Sequence, residues 1–159
     1  MRIYTIGVYD STEEQFFGKL TDNGIDMLCD VRQRRGVRGS KYAFANSRYL
    51  QARLAQLGIA YEYLRELAPT REIRQKQWEE DKRLGESKHD RTKIGSAFAE
   101  GYIRDIMSNF DFDDFVEKKR LSGVEKIAFL CIEACAGACH RSLIAEELGK
   151  RYHLETVDL

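Results

Sequence analysis

Runs of apolar, β-branched residues alternate along the chain with stretches in which apolar positions recur every three or four residues. "RIYTIG" near the start, "DMLCDV" from Asp26, "AYEYLREL" from Ala60, "EKIAFLC" from Glu125 and "HLETVDL" at the end read as strands. Helices fall between them. Phe16, Phe17 and Leu20 lie on one stripe behind a Ser11 or Thr12 cap, and Asn23-Gly24 closes that element. Tyr49, Leu50, Leu54 and Leu57 make a second stripe that ends at Gly58. "IGSAFAEGYIRDIMSNFDFDDFVEKKRL" predicts one helix or two in series, and "HRSLIAEELGKRY" predicts another directly after the fourth strand.

Two stretches break this rhythm. "RQRRGVRGSKYAFAN" holds Gly36 and Gly39 and follows neither period, so it reads as an irregular loop. Pro69, the only proline, opens "TREIRQKQWEEDKRLGESKHDR", whose sole large apolar residues are Ile73, Trp78 and Leu84. That composition predicts a polar helical insertion or lid around 69–92 and not a core helix, with His89, like His153, on a solvated surface.

Strands that alternate with helices predict an α/β fold, a three-layer domain over residues 1–159 with a mostly parallel central sheet of about five strands covered by helices. Ligands of such sheets lie beyond the carboxyl ends of the strands. The turns after "TIG", "CDV" and "FLC" are therefore expected at one edge, where Asp30, Arg32 and the cysteine loop would meet.

A chain of 159 residues buries roughly 68–70% of its unfolded surface and needs no disulfide framework. Four cysteines without a secretory signal point to a reducing cytoplasm. The longest apolar run, "IAFLCI", is far short of the roughly 20 residues that cross a bilayer, so no membrane partner is expected. Basic and acidic residues balance at 26 each, which excludes a polycation drawn to nucleic acid by net charge. Their distribution changes the picture. From Val31 to Tyr61 there is no acid, while Arg32, Arg34, Arg35, Arg38, Lys41, Arg48 and Arg53 fall in that window. One mouth of the domain should be locally positive.

The chemistry concentrates in "FLCIEACAGACHRS", with Cys131, Glu133, Cys135, Cys139 and His140. A helix starting at about His140 presents unpaired N–H groups near Arg141 and Ser142, a place that suits an anion and lowers a thiol's pKa. Cys139 stands nearest to it. Cys135 and Arg141 also satisfy C-x(5)-R, the spacing in which a thiolate lies beneath inward N–H groups and an arginine forks onto oxyanion oxygens. The leading expectation is an enzyme for an anionic, phosphate- or sulfur-containing substrate. Cys139 or Cys131 would be its nucleophile, Asp30, Glu133 or His140 would move protons, and Arg141, Ser142, Arg32, Arg34 and Arg35 would hold the anion. Two alternatives stand beside it. Loop 32–48, with Tyr42 and Phe44, has the cations and aromatic rings of a single-strand nucleic-acid binder. The cysteine cluster with His140, helped by Glu133, could bind a metal, although no paired C-x(2)-C spacing is present.

The blocks "YTIGVYDSTEEQFFGKLTDNGIDMLCDVR", "YLQARLAQLGIAYEYLRELA" and "IAFLCIEACAGACHRSLIAEEL" resemble the family called domain of unknown function 488. The resemblance spans nearly the whole chain and is most specific at "DVR" and at "LCIE…CHRS". It implies a prokaryotic, cytoplasmic α/β domain with no settled activity, and functional positions at Asp30, Arg32, Cys131, Glu133, Cys139, His140 and Arg141. The family pattern "TIGHS" is replaced here by "TIGVYDS", which leaves Tyr9 near the place of the missing histidine. Its members usually lack a cysteine at the position of Cys135. More distantly, a strand ending "DVR" and a cysteine strand before an "RS" helix look like the sulfurtransferase (rhodanese) plan.

Overall fold

Five strands, β1 (Arg2–Gly7), β2 (Met27–Asp30), β3 (Ala60–Tyr63), β4 (Lys126–Cys131) and β5 (Thr156–Asp158), pair in parallel in the order β3-β2-β4-β1-β5. The structure is a computed structural model that describes residues 1–87 and 91–159; His89 lies outside the described residues. Helices α1 (Glu13–Asp22) and α2 (Ser47–Gln56) cover one face of the sheet. Helices α3 (Arg71–Leu84), α4 (Ser96–Asp105), α5 (Phe112–Leu121) and α6 (His140–Tyr152) lie on the other. Most apolar stripe positions read from the sequence are buried, but Tyr49 is 48% exposed with its hydroxyl donating to Glu13, and Leu57 is only partly buried. Phe16, Phe17, Leu20, Leu50 and Leu54 pack on the first face, and Phe98, Tyr102, Phe112, Phe115, Ile144 and Leu148 on the second. Thr12 caps α1 through a reciprocal bond with Gln15.

The third strand is shorter than its pattern suggests. Its partner β2 stops at Asp30, whose register mate is Tyr63, so no ladder remains for "LREL", and Arg65–Leu67 closes as a 3-10 turn. Among the described residues of the 69–92 stretch, Arg71–Leu84 form one 14-residue helix, α3, capped by Thr70 and ended by Gly85 in the left-handed region at φ 68°. It is not wholly peripheral. Ile73, Gln77 and Asp81, spaced by four, make a buried stripe, and Ile73 joins the core, whereas Trp78 and Leu84 face outward.

Register decides which side chains can meet at the carboxyl edge. Gly7 is level with Cys131, and Asp30 with Leu130. The three strands therefore end together, as expected. Side chains alternate along a strand, however, so Asp30 shares a face with Leu130 while Cys131 shares the other with Phe129. Gly7 is glycine for a steric reason. A Cβ there would stand 2.0 Å from the Glu133 carbonyl oxygen. Gly7→Ala is expected to destabilise the fold by roughly 1–3 kcal/mol, the range for overpacked sites. Unchanged denaturant midpoints would show that the 132–134 turn yields freely.

Candidate functional site

The connection from β2 runs to α2 on the first face, whereas that from β4 runs to α6 on the second, although the two strands are neighbours. Loops that part in opposite directions leave a crevice beyond the strand ends. A cavity of about 630 Å³ occupies that place, with Cys131, Cys139 and His140 on its wall.

Cys131 ends β4, Cys139 is the N-cap of α6 and His140 is the first residue of that helix. The turn between them, held by Cys139 N–H donating to Ala136 O, folds the three together. Their donor atoms lie within 4.8 Å of one another, and all three residues are buried. His140 Nδ1 is 3.6 Å from Cys139 Sγ and 3.8 Å from Cys131 Sγ. The other ring nitrogen, Nε2, sits 3.0 Å from the Val31 carbonyl oxygen. A carbonyl only accepts, so Nε2 carries the hydrogen and Nδ1 is turned to the sulfurs. The rings of Tyr102 and Phe98, with centroids 5.1 and 6.4 Å from that of His140, fix the imidazole from the side. The thiols are driven apart in acidity. Burial alone would raise Cys139, but the Cys131 thiol donating to it, His140 and Arg141 hold it well below the ordinary cysteine value. Cys131 moves well above that value, because its hydrogen bond with Cys139 stabilises the protonated form and because it is buried.

A residue that the sequence gives little reason to choose completes the wall. Arg91 is buried, pairing through Nη1 with Asp81 (2.6 Å) and through Nη2 with Glu133 (3.4 Å) and the Ala138 carbonyl (3.3 Å). Gln77 donates to Asp81 and accepts from the Gly95 N–H. Ile94 N–H donates to Gly137 O, so the segment after α3 is laced to the cysteine loop. The signal was present as polar Gln77 and Asp81 on the apolar stripe of α3 headed by Ile73.

Several sequence-predicted residues are placed elsewhere. Arg141, the largest fully buried side chain, does not line the cavity. It donates to the Glu133 carbonyl and to the Ala134 carbonyl (2.8 Å) and approaches Asp158 (3.4 Å), bracing the loop from behind. Ser142 Oγ donates to Cys139 O (2.8 Å). Cys135 is exposed, with its thiol directed to Thr92 O (3.5 Å), so Cys135 and Arg141 form no cradle and the readily accessible thiol is Cys135, not Cys139. Asp30 accepts from Arg32 Nε (2.9 Å) and Nη2 (2.8 Å) and from the Tyr61 hydroxyl (2.8 Å), and Arg32 Nη1 donates to Ala45 O (2.9 Å). That pair positions the β2 turn and makes no hydrogen bond to the cluster sulfurs. Arg35 stacks on Tyr63 at 4.1 Å. Phe44 is in the core, and His140 bonds the Val31 carbonyl. Glu133, Arg32 and Arg34 do line the cavity; of the expected anion-binding arginines, only Arg34 does so exposed.

A parallel α/β domain with a buried cluster of two sulfurs and one imidazole at the switch point of its sheet is the class that fold and site define. The chain belongs to the family described as domain of unknown function DUF488, which matches residues 12–148. No curated protein and no solved structure matches it, so the likeness to the rhodanese plan rests on residue pattern alone. No helix among the described residues is long and apolar enough to cross a membrane.

Proposed function

We propose that the chain is an enzyme for an anionic substrate, with Cys131, Cys139 and His140 holding a metal ion at the cavity floor. One observation carries this. Zinc bonds of about 2.3 Å to sulfur and about 2.0–2.1 Å to nitrogen, set at a tetrahedral angle, separate the two donors by about 3.6 Å. His140 Nδ1 lies 3.6 and 3.8 Å from the two sulfurs. The donor set is that of zinc or a similar borderline metal, and three protein ligands leave a further position, as catalytic sites require. A metal bound there supplies Lewis-acid polarisation of an oxygen or acidification of water. The residues do the rest. Val31 O fixes the imidazole through Nε2, the outer contact that ligating histidines need. Glu133, oriented by Arg91, brings a carboxylate to the cavity wall as a proton acceptor. Arg34, Arg38 and Arg74 line the same cavity and attract the anion.

A second reading is favoured by the acidity of Cys139, whose thiol lies well below its ordinary value. It makes Cys139 the nucleophile, with His140 beside it. Elemental analysis and timed alkylation separate the two. The metal reading expects close to one metal ion per chain, lost in Cys139→Ser and in His140→Ala but kept in Cys135→Ser. Cys131 and Cys139 then become labelled together only after chelation. Metal-free protein in which Cys139, but not Cys131, labels rapidly near pH 6 transfers the assignment to the nucleophile. Metal-free protein in which neither buried thiol reacts ends both.

A further inference from the structure

The rim of the cavity differs from its floor. Arg91 and Arg32 are neutralised by buried carboxylates, but Arg34, Arg38 and Arg74, which also line the cavity, have no ion pair with a described carboxylate. Arg74 is crowded by Arg34 and Arg71, and its Nε is buried without a hydrogen-bond partner. Like charges gathered without acids are an unfavourable arrangement for the free protein, and an anion between them relieves it. Aromatic surface lies beside them. Trp78, the chain's only tryptophan, is 49% exposed one helical turn from Arg74, whose guanidinium stands 5.5 Å from its ring centroid. Tyr9 and Tyr42 form a ring pair, 5.2 Å between centroids, that also lines the cavity.

We infer that the rim binds a nucleotide unit, its phosphate at Arg34, Arg38 and Arg74 and its base stacked on Trp78. This inference deepens the reading of an anionic substrate and rests on it, but it does not depend on the metal. Size decides against a bare oxyanion. A volume of about 630 Å³ is in the range of roughly 300–1,000 Å³ that encloses small organic ligands, far more than phosphate fills. Residue type decides against a purely aliphatic acid. An exposed tryptophan in a wet, arginine-bearing cleft gains from a flat π-face, and base stacking on aromatic side chains tolerates any base. Arg74 and Trp78 are four residues apart on one helix, about 6 Å along its axis, a span that a ribose bridges between phosphate and base. A free nucleotide and one nucleotide of a single strand present the same chemistry.

Because Trp78 is the only tryptophan, its fluorescence reports on this rim alone. The purified protein is titrated with AMP, ribose 5-phosphate, inorganic phosphate and a short oligothymidylate, with calorimetry alongside. AMP is expected to quench Trp78 and to bind about tenfold or more tightly than ribose 5-phosphate. Calorimetry on Trp78→Ala is expected to show that preference gone while phosphate binding persists. Arg74→Ala is expected to weaken both ligands. Binding of the oligothymidylate in preference to AMP assigns the unit to a strand, and the reverse assigns it to a free nucleotide; both support the inference. Phosphate or ribose 5-phosphate binding as tightly as AMP overturns the nucleotide while leaving the anionic substrate standing. No response to any of the four overturns both. Metal content, measured on the same samples, tests the floor of the cavity separately.

Discussion

Arg141→Ala is expected to lower the free energy of unfolding by about 3–5 kcal/mol, a large share of the 5–15 kcal/mol typical of a domain. The side chain is fully buried, and its guanidinium serves the Glu133 and Ala134 carbonyls in the turn between the two cysteines. Alanine leaves those acceptors bare and a void behind them. The same loss should loosen Cys131 relative to Cys139 and, on the metal reading proposed above, lower metal content in proportion. Arg141→Lys, which keeps a donor and the charge, should lose less. Urea denaturation with and without phosphate distinguishes this brace from an anion anchor. An anchor would leave the phosphate-free protein as stable as the native chain and remove only the protection given by phosphate.

Asp30→Ala is expected to cost a similar amount, about 3–5 kcal/mol, because it strands a buried arginine. Asp30 and Arg32 are 0% and 3% exposed, and the carboxylate accepts from two guanidinium nitrogens of Arg32 as well as from Tyr61. The paired change Asp30→Leu with Arg32→Met should be milder than the sum of its parts, since it removes both charges at once. Additive losses in that cycle would show that each residue acts through separate partners. If Asp30 moved protons in the reaction, Asp30→Ala would instead keep its stability and lose turnover.

The two residues show how far the sequence could be read. Strand and helix positions were legible because period and burial follow one another, and the family resemblance pointed to both cysteines and to His140. Strand order and register are long-range facts that no local pattern holds. Once Asp30 is level with Leu130, parity alone sends its side chain to the face opposite Cys131. "CHRS" likewise announces a helix start with an arginine, but whether that arginine reaches outward to an anion or back to its own loop depends on Gly7. The absence of a Cβ there lets the Glu133 carbonyl and the Arg141 guanidinium approach the end of β1. Arg91 was hidden for a related reason. Its importance comes from Asp81 and Glu133, which lie 10 and 42 residues away.

Among the described residues, the crossover between β3 and β4 carries three α-helices, where a parallel connection needs only a dozen residues or so. Of these, α4 and α5 cover the sheet, while α3 adds Arg74, Gln77 and Trp78 to the cavity. The sulfurs and the imidazole come from a different stretch, the β4–α6 unit. On the reading proposed above, α3 supplies part of the recognition, Arg74 and Trp78, and through Asp81 it also holds Arg91 beside Glu133. A change confined to Arg74 and Trp78 that keeps the buried Ile73, Gln77 and Asp81 would then redirect the choice of ligand while the strand register and the Arg91 brace stay in place, which makes this helix the natural place to graft new selectivity.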